Sequence, residues 1–501
     1  MGEKQNVMPV PRSHFYARWR AGLEAQFVLR EGGDSPLSEK ILQGVWHYQR
    51  VLRDQLKTVD GKPVRVLHPG FWNREAGPDF QGAVVQIGDE APRSGDIEID
   101  LTGSGWRGHG HDRNPAYKNV ILHVIWKGGA ENSSLPAVAL ENFLDASFEE
   151  IQAWFKSDAA QGWPEEVLGE CCAPLREISA EDALDLLHQA GEIRFHSKAR
   201  ALEARARQCG WDQALWEGLL RALGYKKNVW PMQRLAEVLP WREGQSTSLI
   251  ASQARFFGLG NLLPEDVTKD ANADSYIRQL WDYWCQEQSA FNDFILPKNI
   301  WRFNGLRPAN QPQRRLALAA HWMVKSNLVF KLQNWFLTGQ TEKSLADSLL
   351  ECLQAGRDDF WSEHWNFKSS RMTKPQPLLG AQRVNDIAVN VILPWFWIRA
   401  GAGKNAALKK AAEERYFDWP ATQDNAVLRM ARLRLFGRGS LRWLKTAAAQ
   451  QGLLQIVRDC CNHSNAVCAD CPFPNLVRSW QAGKKGSLET VDTHYLINTQ
   501  L

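Results

Sequence analysis

The stretch "GDIEIDLTGSGWRGHGH" carries Asp96, Glu98 and Asp100 at alternate positions and follows them closely with His109 and His111. Alternation is the period of a β-strand, so Ile97, Ile99 and Leu101 turn to a core while three carboxylates share the other face at steps of about 6.8 Å. Like charges this close repel. Either water over a solvated edge strand offsets the repulsion, or a divalent cation does, which takes carboxylate oxygens readily. The preceding "NREAGPDFQGAVVQIG" favours the cation, because Asp79 follows a Gly-Pro turn and opens the strand before. In an antiparallel hairpin the start of one strand lies near the far end of the next, so Asp79 and Glu98 face one pocket. Glu39, in the first turn of the first helix, either closes that pocket or only compensates the helix dipole. His109 and His111 are a chelating pair or polar loop side chains bonded to the strand acids. His123, inside the apolar "NVILHVIWK", reads as a core histidine with a satisfied partner.

The elements that must position these groups are legible from periodicity. "SPLSEKILQGVWHYQRVLRDQL" offers Ser38 as N-cap and sets Ile41, Leu42, Val45, Trp46 and Tyr48 on one helical face, which predicts a helix ending near Leu56. The period then falls to two in "KPVRVLHPG", "FQGAVVQIG" and "GDIEIDL", with Val64, Val66 and His68 on one face of the first. "GHGHDRNPAYK" is a short helix or loop leading to "NVILHVIWK", a strand covered on both faces, and Ala137 to Leu140 offer an added edge strand. Beyond about residue 160 nearly every segment has the 3.6-residue period of a helix, with no fixed repeat. The fold class expected is α+β, in four segments. These are an arm (1–37), a small mixed α/β domain (38–160), a large helical domain (161–454) and a cysteine cluster with tail (455–501).

The order acid in the first helix, Pro78-Asp79 on the second strand and Glu98 on the third resembles the core of the PD-(D/E)xK nuclease superfamily. The resemblance implies a restriction-endonuclease-like fold in which Asp79, Glu98 and the Ile99 carbonyl hold Mg²⁺ or Mn²⁺ for attack on a phosphodiester of DNA or RNA. Glu39 joins them from the first helix. Asp100 stands where that pattern has a lysine, and His109, His111 or Lys118 are the substitutes at hand. A non-catalytic nucleic-acid-binding or scaffold protein that keeps the fold is the alternative, and another metallohydrolase centred on His109 and His111 is a third. Longer stretches, among them "VWHYQRVLRDQLKTVDGKPVRVLHPGFWNREAGPDFQGAVVQIG" and "RFNGLRPANQPQRRLALAA", resemble a bacterial family of unknown function, the domain of unknown function numbered 2851, over about residues 39 to 475.

Three further features bear on function. "CCNHSNAVCADCPFP" sets Cys460, Cys461, His463, Cys468 and Cys471 close together, a ligand set suited to structural Zn²⁺, with an iron–sulfur cluster or unligated thiols as the other readings. "GLRPANQPQRR" places Arg307, Arg314 and Arg315 around a turn, and "GYKKNVW" adds Lys226 and Lys227; such charges more often are solvated at a helix start, with phosphate contact as the other reading. The 23 tryptophans suit helix-packing cores or base stacking. In bulk, 501 residues imply two or three domains, and 60 basic against 56 acidic residues permit a nucleic-acid partner without demanding one. Charges interrupt every apolar run and occupy the start of the chain, so no membrane span or signal peptide is expected and a cytoplasmic location follows.

Overall fold

A computed structural model describes residues 15–20, 39–73, 77–129, 135–148, 150–151, 174–176, 178–225, 227–241, 247–264, 271–303, 306–324, 328–338, 344–422, 424–437, 441, 443–461 and 473–482. The chain is α+β and forms two compact units, one of residues 1–36, 156–198 and 410–501, the other of residues 37–155 and 199–409. The α/β segment and the helices of 199–409 therefore share one unit.

That second unit holds a six-stranded mixed sheet in the order β1-β3-β4-β5-β6, with β2 beside β3. The strands are β1 (Val64–His68), β2 (Phe71–Trp72), β3 (Phe80–Ile87), β4 (Arg93–Thr102), β5 (Val120–Lys127) and β6 (Ala137–Ala139). A tight turn at Gly88, in the left-handed region at φ 58°, returns β3 into β4 antiparallel. From β4 to β5 the chain instead crosses over through residues 103–119, and the two strands run parallel, as a connection of that length allows.

The helix Glu39–Tyr48 lies against β4, with Leu42, Val45 and Trp46 fully buried and the Trp46 indole N–H donated to the Pro69 carbonyl at 2.9 Å. It ends well before Leu56. Gln49 turns into the left-handed region at φ 51° and its side chain donates to the Trp46 carbonyl, while Arg50 leaves the helical face for a buried ion pair with Asp145. In β1 the alternation also breaks, because a register shift between Val66 and His68 buries Leu67 and His68 together.

The helical part of this unit explains the tryptophans. Trp216, Trp322, Trp361 and Trp395 are buried, and each donates its indole N–H to a fixed oxygen: the carbonyls of Leu239, Leu353 and Trp211 and, for Trp361, the Tyr276 hydroxyl. A π-helical turn at Ala388–Ile392 precedes Pro394, which has no N–H for the carbonyl four residues back. The other unit packs Leu186, Leu187 and Ala190 of the helix Ala180–Cys209 with Leu453 and Ile456 of Ala447–Cys461 and with Trp480. Cys460 is buried in that core. The Cys461 side chain, His463, Cys468 and Cys471 lie outside the described residues. Among the described residues no helix is long and apolar enough to cross a membrane.

Arg314 and Arg315 are core residues here, not phosphate contacts. The Arg314 guanidinium is fully buried and donates to the carbonyls of Trp361, His364, Gln376 and Pro377, while Arg315 donates to the Leu378 carbonyl, the Tyr225 hydroxyl and the Asn310 amide oxygen. Their place in the first turn of the helix Pro312–Val324 turns them inward, against a loop whose carbonyls need donors. Arg314→Met should therefore lower unfolding stability by about 3–5 kcal/mol, because it leaves those carbonyls buried and unpaired. An unchanged urea midpoint would contradict that assignment.

Candidate functional site

The site is built where β3 and β4 meet below the helix Glu39–Tyr48. Gly77 adopts φ 121°, open to glycine, and Asn73 clamps the following Pro-Asp step by donating its backbone N–H to the Asp79 carbonyl and its side chain to the Pro78 carbonyl. Phe80 pairs with Ile97, so Asp79 stands beside Glu98. Two backbone donors hold them: the Asp79 N–H donates to Glu98 Oε2 at 3.1 Å, and the Ile99 N–H donates to Asp79 Oδ2 at 3.1 Å. The helix adds Gln43, whose amide donates to Asp79 Oδ1 at 2.8 Å, and Glu39 one turn earlier on the same face.

Two of the three strand acids enter the site. Glu98 is 6% and Asp100 1% exposed, so these two acids are covered by protein and do not form a solvated acidic edge. Asp96 departs from them: it accepts from the Gly82 N–H at a β3 bulge. Asp100 is held from both sides, with His123 Nε2 at 2.8 Å from Oδ2 and His109 Nδ1 at 3.0 Å from Oδ1. Gly105 allows this close packing, since a Cβ there would lie 2.6 Å from the Asp100 carboxyl carbon. His111 Nε2 lies 3.1 Å from Glu98 Oε1. Its ring stacks on Tyr117 with centroids 4.0 Å apart and meets the edge of Trp106.

The crossover of residues 103–119 thus folds both histidines back over the strand that precedes them. Asp79, Glu98, Asp100, His109 and His111 come together, with Glu39 at their edge. Lys118 does not join them; it is exposed on the turn after Tyr117. Arg307 and Lys227 are exposed elsewhere in the unit, and Lys226 lies outside the described residues. Four participants were not singled out in the sequence: Gln43, Trp106, Tyr117 and, as a partner of Asp100, His123. Gln43 had a signal, its four-residue spacing from Glu39; the aromatic pair had none short of the crossover's path.

Crowding acids in a covered pocket raises the cost of ionising them. Burial, reinforced by the Glu39 and Asp100 charges, lifts the Asp79 carboxyl to about 6 against the opposing Gln43 and Ile99 hydrogen bonds. Burial and the Asp79 charge lift Glu98 to about 8, and burial with Asp100 raises Glu39. The same burial lowers His111 and, together with the acids, pushes the Tyr117 hydroxyl up to about 12.

Over residues 39–425 the sequence matches the family described as a protein of unknown function, DUF2851. The chain belongs to this family. No curated protein and no solved structure matches it. The DUF2851 region contains every acid and histidine of the site and stops short of the cysteine cluster at 460–471.

The raised carboxyl values fix the sign of a pH effect in this DUF2851 protein. Glu98 and Asp79 keep protons in the folded state at pH values where the unfolded chain has lost them, so their contribution is full below their ordinary values, near 4, and is lost as pH rises through about 6 and about 8. In chelator-treated protein, Glu98→Gln should flatten the fall in stability between pH 4.5 and 8 and leave the variant the more stable form at pH 8. Parallel urea-midpoint curves for the two proteins would refute the proton assignment.

Proposed function

We propose that this pocket binds a divalent cation through Asp79 and Glu98 and hydrolyses a phosphodiester of nucleic acid. The observation that carries the proposal is the pair of backbone hydrogen bonds, Asp79 N–H to Glu98 and Ile99 N–H to Asp79, which fixes two carboxylates side by side at the entry to β3 and the middle of β4. The donor set fits a hard cation: four carboxylate oxygens, each with a lone pair to spare beyond its one hydrogen bond or contact, in a pocket whose acids resist ionisation without positive charge nearby. A bound Mg²⁺ or Mn²⁺ supplies Lewis acidity towards a phosphate oxygen and neutralises developing charge.

The chain's own groups do the rest. Gln43 and the Ile99 N–H orient Asp79, and the Asp79 N–H orients Glu98. His109, tied through Nδ1 to Asp100 and about half exposed, keeps Nε2 for proton exchange with water or a leaving oxygen, as a substitute for the lysine that a nuclease of this pattern carries where Asp100 stands. Arg107, Arg113 and Lys118 are exposed on the same crossover and suit a polyanion's phosphates. Asp100 in the lysine position favours a second reading, a nucleic-acid-binding protein that keeps the fold without the chemistry.

Incubation of the full chain with Mn²⁺ and labelled single-stranded DNA, duplex DNA and RNA separates the two. Cleavage by the native protein that falls about 100-fold or more in Asp79→Asn and Glu98→Gln supports hydrolysis, since losing the cation's charge stabilisation removes several kcal/mol. Binding without cleavage supports the second reading, and cleavage equal in the native and Asp79→Asn proteins overturns the assignment of the site.

A further inference from the structure

Asp100, His109 and His111 are more than a proton relay behind the carboxylate pair. One potential ligand atom from each lies within 4.8 Å of the others. Asp100 Oδ1 and His109 Nδ1 are already 3.0 Å apart, close to the spacing of about 3.3 Å that two donors take around an ion bound at about 2.0–2.1 Å in tetrahedral geometry. The second observation is independent of that spacing. The His111 side chain is about nine-tenths buried, and its Nε2, 3.1 Å from Glu98 Oε1, is in no hydrogen bond, although a buried ring nitrogen ordinarily has one.

We propose that these three residues form a transition-metal site of their own, beside the oxygen pair Asp79–Glu98. Two imidazole nitrogens and one carboxylate oxygen suit Zn²⁺, Mn²⁺, Fe²⁺ or Co²⁺ and do not suit Mg²⁺, which prefers oxygen. The surroundings are those of a ligand set held in place. His123 occupies Asp100 Oδ2 and leaves Oδ1 towards the histidines, while Tyr117 and Trp106 fix the plane of His111. Gly105 lets the crossover approach closely enough for both rings to reach the strand. In this arrangement Asp100 answers the missing lysine: the positive charge at that position is a recruited cation and not an ammonium group. Binding at Asp100, His109 and His111 stands on these residues alone; only the role beside Asp79 and Glu98 rests on the hydrolytic reading above.

The test is Co²⁺ titration of the full, chelator-stripped chain, followed by visible absorption and by metal content after gel filtration. Nitrogen- and oxygen-bound Co²⁺ gives weak visible bands without the strong near-ultraviolet absorption of thiolate ligation, so the cysteine cluster is read separately. The native protein should hold one more equivalent, with those visible bands, than His109→Ala, and Asp79→Asn should retain that equivalent. His109 is half exposed, so its replacement leaves the core intact; His111→Gln, with thermal unfolding as a check on folding, gives the same loss from the buried side. Equal metal content and identical spectra in the native and both histidine variants would overturn the site. Loss of the equivalent in Asp79→Asn but not in His109→Ala would also overturn it, by moving the metal to the carboxylate pair. Retained Co²⁺ binding without any phosphodiester cleavage would leave the metal site standing and refute the hydrolytic function alone.

Discussion

The pair of hydrogen bonds that joins Asp79 to Glu98 and to the Ile99 N–H across β3 and β4 is the constraint around which this half of the molecule is organised. Two carboxylates can be covered by protein only if donors and positive charge come to them, because an unpaired buried charge is costly. The fold meets this requirement from three directions. Backbone N–H groups of the two strands bond to the acids, Gln43 reaches down from the helix above to Asp79, and the crossover brings the His111 ring to within 3.1 Å of Glu98 from behind. What these donors do not neutralise remains as raised carboxyl values.

The crossover is the second organising feature. A parallel neighbour to β4 requires a connection that leaves one end of the sheet and returns to the other, and the route through residues 103–119 carries Trp106, His109, His111 and Tyr117 across the acidic face. The parallel register then sets His123 of β5 beside Glu98, from where its ring turns to Asp100. One topological choice thus supplies cover, histidines and support together. Away from the site the large helical part follows ordinary packing rules, with tryptophans that bury their rings and donate their N–H groups, and with two buried arginines that collect loop carbonyls.

Much was legible from sequence where a short-range rule applied. Alternation marked β3 and β4, a continuous apolar run marked β5, the Gly-Pro turn and hairpin placed Asp79 beside Glu98, and the helical period marked the region beyond the sheet as largely helical. Failures occurred where a distant partner intervened. The first helix is cut short at Gln49, and Arg50 goes to Asp145, which lies far along the chain. Arg314 and Arg315 have the composition of a surface anion site and were turned inward by carbonyls some fifty to sixty residues away.

By itself the sequence determined the class of the fold, the identity and spacing of the acids and histidines, and membership of the DUF2851 family, since all of these follow from local periodicity or from direct likeness along the chain. The tertiary structure alone decided which groups share a pocket. The three acids of β4 are equivalent by spacing, yet Asp96 caps a bulge, Glu98 joins Asp79 and Asp100 takes two histidines. Those fates depend on strand order, on the parallel return of β5 and on the close approach that Gly105 permits, which are distances through space that no residue interval records.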